Sequence, residues 1–290
     1  MTPKYHGMLE IHIAVLLFGL AGLFGKLLTL PVLVIVFGRT LFASLTLGAI
    51  LFCSSISLRA ESRQDLAVLV LLGAVLAVHW ITFFHAIQIS TVAIGLLTFS
   101  TFPLFVTFME PFFFKEKLRL FDILFAGSVL LGLVLVVPSF DFHNNITQGA
   151  FWGTISGFTF AILSVLNRKY VSTYLPMVIV CYQNLIATVI LLPFLISKDW
   201  ALRPADFAWL AILGIFCTAL AHVLFIRSLV HVKAQLASMI ACLEPLYGII
   251  FALVLFGEVP ALRTILGGGI ILGTIILATI KRNSSRVKTG

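Results

Sequence analysis

Charged side chains are scarce in these 290 residues: Asp, Glu, Lys and Arg make up 10%, against 61% apolar residues. Soluble globular chains carry about a quarter charged residues, so a soluble fold is excluded and the chain reads as a membrane protein. At ~20 residues per crossing, ten spans use roughly 200 residues and leave about 90 for turns and tails. That is too little for a separate soluble catalytic domain. Cysteine is equally sparse, and Cys53, Cys181, Cys217 and Cys242 all lie in or beside apolar runs. A thiol there behaves as a small hydrophobe, so no disulfides are expected.

Chemical motifs are missing as well. There is no GxxxxGK[ST] loop for ATP, no HExxH and no GxSxG. The seven histidines are dispersed and the cysteines lack metal-ligand spacing. No cofactor, no metal and no catalytic residue are therefore expected. The formal charge of +8 is spread over the ends of apolar runs, the pattern of a membrane protein marking its cytoplasmic side rather than of a nucleic-acid binder.

What is present is a succession of long apolar stretches. They predict ten transmembrane helices over Tyr5–Leu27, Val32–Ser54, Leu66–Ile87, Thr91–Phe114, Phe121–Pro138, Gly149–Arg168, Pro176–Ile196, Asp206–Leu229, Ala234–Phe256 and Leu262–Ile280. With the N-terminus inside, most Lys and Arg fall on the inner side; Lys26, Lys198, Arg203 and Arg263 fall outside, and Arg39 lies within the second span. The positive-inside rule then places both termini in the cytoplasm.

The chain also repeats itself at an offset of 142 positions. Gly7 maps to Gly149, Phe18 to Phe160, Lys26 to Arg168, Pro103 to Pro245, Glu116 to Glu258 and Gly127 to Gly269. Two units follow, 1–145 and 146–290, each with five spans. An odd number of spans inverts the second unit relative to the first, an architecture typical of secondary transporters with a site near the midplane.

The run Phe99-Ser100-Thr101-Phe102-Pro103-Leu104 followed by Phe113-Phe114-Lys115-Glu116-Lys117-Leu118 has a second copy in Cys242-Leu243-Glu244-Pro245-Leu246-Tyr247 followed by Leu255-Phe256-Gly257-Glu258. This paired signature resembles the drug/metabolite transporter (DMT) superfamily, EamA-type, over nearly the whole chain; one departure is Lys115, where a small residue commonly precedes the Glu. The resemblance implies export of amino acids or other small metabolites across the bacterial inner membrane. A membrane-embedded enzyme acting on a lipid or lipid-linked group is the alternative, and a non-transporting structural subunit a third.

Polar groups at bilayer depth are the candidate site, because they are costly unless they face the protein or a wet cavity. Glu244 lies about ten residues, ~15 Å, into its span, near mid-bilayer. It is a candidate for substrate or proton binding, with protons a candidate coupling ion, and equally a protonated carboxyl that pins helices. Pro103 and Pro245 are candidate hinges or fixed kinks. His79, Trp80 and Phe83 cluster in the third span, and His222 aligns with Trp80 under the offset. All four are candidates to line a substrate cavity, or simply fill space between helices. Thr98, Thr101 and Ser238 are further candidates, although hydroxyls in membrane helices often bond their own backbone. Arg39 is expected to play a structural part, paired with a carboxylate or with helix carbonyls, or reaching the interface. Glu10 and His12 are expected to reach the headgroups, and the GxxxG of Gly153 and Gly157 to be a packing surface.

Overall fold

The computed structural model describes residues 3–114, 120–137, 141–196, 200, 202–241 and 243–287, and every regular element among them is a helix. In chain order they are α1 (Pro3–Leu27), α2 (Val32–Cys53), α3 (Arg63–Ile89), α4 (Val92–Phe99), α5 (Phe102–Phe114) and α6 (Leu120–Val136). There follow α7 (Asn145–Tyr170), α8 (Pro176–Ile196), α9 (Pro204–Gly214), a π-helical turn (Ile215–Leu220), α10 (Ala221–Ser228), α11 (Ala234–Ala241), α12 (Glu244–Phe256) and α13 (Leu262–Val287). Seven stretches are long and apolar enough to cross a membrane, counting α4 with α5 as one and α9 through α10 as another. Ile123–Val136, Glu244–Phe256 and Leu262–Thr274 are shorter apolar helices. The Lys115-Glu116-Lys117 segment, Cys242 and the side chain of Ser238 lie outside the described residues.

Several helix ends are set by local chemistry. Ser62 Oγ accepts from Asp65 N at 3.0 Å and starts α3 at Arg63, a turn earlier than its apolar run predicts. Asn144 Oδ1 accepts from Ile146 N at 2.8 Å and starts α7 at Asn145 instead of Gly149. Asp206 Oδ2 accepts from Arg203 N at 2.9 Å at the head of α9. Gly257, at φ +64°, closes α12 in the left-handed conformation that a side chain disfavours.

Two expected spans are divided. Within residues 91–114, α4 ends at Phe99 and α5 starts at Phe102; within residues 234–256, α11 ends at Ala241 and α12 starts at Glu244. The two breaks are 142 positions apart. Pro103 and Pro245 sit in the first turn of α5 and of α12, where a missing N–H forfeits no helical bond. The loose carbonyls of α4 are taken up locally: Leu96 O accepts from Ser100 Oγ at 3.0 Å, and Thr98 O from Thr101 Oγ1 at 2.8 Å and Thr101 N at 3.2 Å.

Packing follows the same pairing. α2 lies against α8 and α6 against α13, while α3 on α7 is matched by α10 on α1. Similarly, α4 and α5 cover α7 as α12 and α11 cover α1. Small residues allow the closest approaches. A Cβ on Gly157 would lie 2.8 Å from Phe99 O, and one on Gly19 3.1 Å from Glu244 O, so each helix break is pressed against a glycine of a neighbouring helix.

Candidate functional site

Seven side chains enclose a cavity at the centre of the bundle: Phe18 of α1, His79, Trp80 and Phe83 of α3, Phe99 at the end of α4, Phe160 of α7 and Glu244 at the start of α12. Both broken helices therefore contribute a residue beside their break. In this conformation the enclosed space holds on the order of a single water molecule.

The wall is a mesh of rings. His79 stands 5.1 Å from Phe160 and 5.5 Å from Phe99, centroid to centroid, and Trp80 lies 5.5 Å from His222. Phe18 meets His222 edge-on at 5.3 Å, and Phe99 stacks on Phe102 at 5.0 Å. Edge-to-face and offset contacts of this kind add to burial. His79 is fixed further by α7: Nδ1 lies 3.1 Å from the Ser156 carbonyl, and Ser156 Oγ donates to His79 O at 3.2 Å. The Ser156 hydroxyl also lies 2.9 Å from Nδ1, so α7 holds the ring through both the carbonyl and the side chain of Ser156.

Arg39 is completely buried behind this wall. Its Cζ sits 3.3 Å from the centroid of the Trp80 ring and 5.2 Å from that of Phe84. Nε donates to Thr218 Oγ1 at 3.0 Å and Nη2 to Cys217 O at 3.4 Å. Both acceptors belong to the π-helical turn, where Thr218 Oγ1 donates to Leu213 O at 2.7 Å, five residues back. Of the partners expected for Arg39, a carboxylate, helix carbonyls or the interface, the structure shows a helix carbonyl, together with a hydroxyl and an aromatic face; among the described residues no carboxylate lies in salt-bridge contact.

The sequence candidates thus separate. His79, Trp80, Phe83 and Glu244 share the cavity. His222 packs behind Trp80 and Phe18, buried, with Nε2 lacking a partner. Thr98 and Thr101 are buried near the end of α4; the Thr98 hydroxyl donates to Ile94 O at 2.7 Å within the helix, and the Thr101 hydroxyl donates to Thr98 O at 2.8 Å at the break. Glu10, expected at the headgroups, is largely buried and paired with Arg227 at 2.8 Å, while His12 is exposed. Glu110 pairs with Arg168 at 2.5 Å.

Sequence reasoning passed over Phe18, Phe99, Phe160, Ser156 and the Cys217-Thr218 turn. Phe18 and Phe160 did carry a signal, being partners at the 142-residue offset. Ser156 and the π-helical turn carried none, because their roles arise only from helix contacts.

An all-helical bundle with long apolar helices, broken helices and a buried charged and aromatic centre defines a multi-pass membrane protein of transporter type. The EamA-like transporter family matches the chain twice, over residues 6–137 and 147–280, and the chain belongs to this family. It is 26% identical to an uncharacterized transporter of Bacillus subtilis, covering 96% of this chain and 91% of that one. It is 25% identical to a pseudopaline exporter of Pseudomonas aeruginosa over 88% of each, and 24% identical to an S-adenosylmethionine uptake transporter of Rickettsia felis over 82% and 79%. A protein of known crystal structure, 17% identical, superimposes with a TM-score of 0.71 over 96% of this chain and 97% of that one, which shows the shared fold.

Proposed function

We propose that this protein is a secondary transporter that exports amino acids or other small metabolites across the bacterial inner membrane by alternating access. Ten spans form two inverted five-helix repeats, residues 1–145 and 146–290, with both termini in the cytoplasm. One observation carries the reading: both half-helix pairs break at positions 142 residues apart, each beside a proline, and both breaks flank the same aromatic cavity. Inverted repeats whose discontinuous helices meet at the midplane suit a site that opens to either side by rocking. The cavity holds too little space for a solute as it stands, in keeping with an occluded state.

His79, Trp80, Phe83 and Glu244 line the substrate path, with His222, Thr98, Thr101 and Ser238 as supporting positions and Pro103 and Pro245 as the points of flexure. Export follows the direction of the pseudopaline exporter. Protons are the coupling ion, carried on Glu244, whose carboxyl has no hydrogen-bond partner among the described residues.

Reconstituted vesicles loaded with labelled amino acids and metabolites test this. Saturable flux that responds to a pH gradient is expected for the wild type. In Glu244→Gln the response to the gradient should vanish while exchange at equal pH survives, and His79→Ala should lower flux under both conditions. Undiminished pH dependence in Glu244→Gln removes the carboxyl from coupling, and no flux of any solute overturns the transport reading.

A further inference from the structure

We propose that the Arg39 guanidinium is a carboxylate-binding centre for the transported solute, covered in this conformation by the ring of Trp80. The inference rests on reading the chain as a transporter and assigns the chemistry of its solute: a carboxylate at one end, and a cationic group facing Glu244 at the other.

The Arg39 environment is incomplete as it stands. A guanidinium withdrawn from water needs a counter-anion or a full set of acceptors. Arg39 is fully buried and has two neutral acceptors, Thr218 Oγ1 and Cys217 O, while Nη1 has no partner among the described residues. The π-helical turn grips Nε and Nη2, which leaves Nη1 as the open donor.

Two neighbouring side chains share this deficit. Trp80 Nε1 and His222 Nε2 are also buried without a hydrogen-bond partner. Their rings lie 5.5 Å apart, and the Trp80 ring is centred 3.3 Å from Arg39 Cζ. Arg Nη1 and Trp Nε1 can only donate, and a neutral imidazole can present either nitrogen as a donor. A group that satisfies Arg39 Nη1 and Trp80 Nε1 must therefore be an acceptor, and it also satisfies His222 Nε2 in the tautomer that carries the hydrogen there. The uncompensated guanidinium charge makes an anion the fitting one, and carboxylate oxygens match a guanidinium edge best.

Glu244 supplies the opposite pole. It lines the cavity and makes no ion pair or hydrogen bond through its carboxyl among the described residues. A solute carrying both a carboxylate and an ammonium group satisfies both poles without net charge entering the membrane. Trp80 borders the cavity and Arg39 does not, so the solute's carboxylate must enter past the edge of the indole, loosening its contact with the guanidinium.

That displacement gives the test its readout. In a protein whose only tryptophan is Trp80 (Trp152→Phe, Trp200→Phe, Trp209→Phe), reconstituted in lipid, indole emission is followed on adding each of the common amino acids, its amide and its N-acetyl derivative. At least one amino acid should shift the emission at about tenfold lower concentration than its amide, as expected for a charge-assisted bond. Arg39→Gln should abolish that preference. Glu244→Gln should keep it while losing the preference for a free amine over the N-acetyl form. Equal responses to acid and amide in the otherwise unchanged protein overturn the carboxylate centre even if Arg39→Gln fails to fold, and so does silence to every amino acid. Saturable flux of some other solute in the same vesicles would then leave the transport reading standing. Binding of acids with no flux of any of them would overturn transport and keep the centre.

Discussion

Gly157→Val is expected to abolish flux and lower thermal stability, whereas Gly48→Ala should leave flux unchanged. A Cβ at Gly157 would lie 2.8 Å from Phe99 O, 3.1 Å from Thr101 Oγ1 and 3.3 Å from Phe102 N. Two of these are backbone atoms at the α4–α5 break, which no rotamer change can move. α7 would have to separate from the break, and overpacking of this kind costs about 1–3 kcal/mol before any loss of function. The functional loss should be larger than the stability loss, because Phe99 beside the break lines the cavity and Phe160, one turn from Gly157 on α7, faces it. Gly48 lies within α2 with nothing within 4 Å of the added methyl. Its replacement should stabilise by about 0.5–1 kcal/mol through the better helix propensity of alanine. Flux in vesicles and thermal midpoints of both variants check the pair. A fully active Gly157→Val would mean that the break does not move against α7.

Pro103 and Pro245 stand out in the sequence as candidate hinges or kinks, and each lies in the first turn of a new helix; Pro111 and Pro193, inside α5 and α8, show that a proline alone does not mark a break. Yet the same stretches also read as unbroken apolar spans, and length alone favoured one helix over two. The π-helical turn was hidden entirely: Ile215-Phe216-Cys217-Thr218-Ala219-Leu220 is ordinary apolar sequence, and its extra residue is absorbed where Thr218 turns to Leu213 O and to Arg39. Arg39 stood out as a charge in a span, but its partner is an aromatic face on another helix. Patterning along one helix carries no record of such a contact. His79, Trp80, Phe83 and Glu244, singled out in the sequence as polar or aromatic groups at bilayer depth, line the cavity. Phe18, Phe99 and Phe160, which complete its wall, were not singled out in a chain with 27 phenylalanines.

Removing both Arg168 and Arg227 is expected to open the protein toward the side read as cytoplasmic. Arg168 of α7 pairs with Glu110 of α5 at 2.5 Å, and Arg227 of α10 pairs with Glu10 of α1 at 2.8 Å. In the proposed inverted arrangement, the 142-residue offset relates these pairs to contacts at the other face. Glu10 and Arg227 correspond to Trp152 and His85, which meet edge-on at 5.6 Å. Glu110 and Arg168 correspond to Ala252 and Lys26, and Lys26 Nζ donates to Ser90 O at 2.8 Å. One face is therefore latched by two ion pairs, and the other by a ring contact and a lysine on backbone carbonyls. Glu110 is nearly fully buried, so removing Arg168 costs more than breaking an exposed pair. The Glu10 pair contributes less, at most about 1 kcal/mol, because the Arg227 side chain is 61% exposed. Much of the larger cost falls on the state in which this face is shut, so the balance between states shifts toward opening. Cys217, buried beside Arg39 as a free thiol, reports the shift. In Arg168→Ala/Arg227→Ala its labelling by an impermeant maleimide from the cytoplasmic side should accelerate at least about tenfold, the effect of 1.4 kcal/mol. His85→Ala/Trp152→Ala should accelerate labelling from the opposite side instead. Equal acceleration from both sides would mean that the ion pairs hold the bundle together without biasing access, and unchanged labelling would mean that neither face is latched by these contacts.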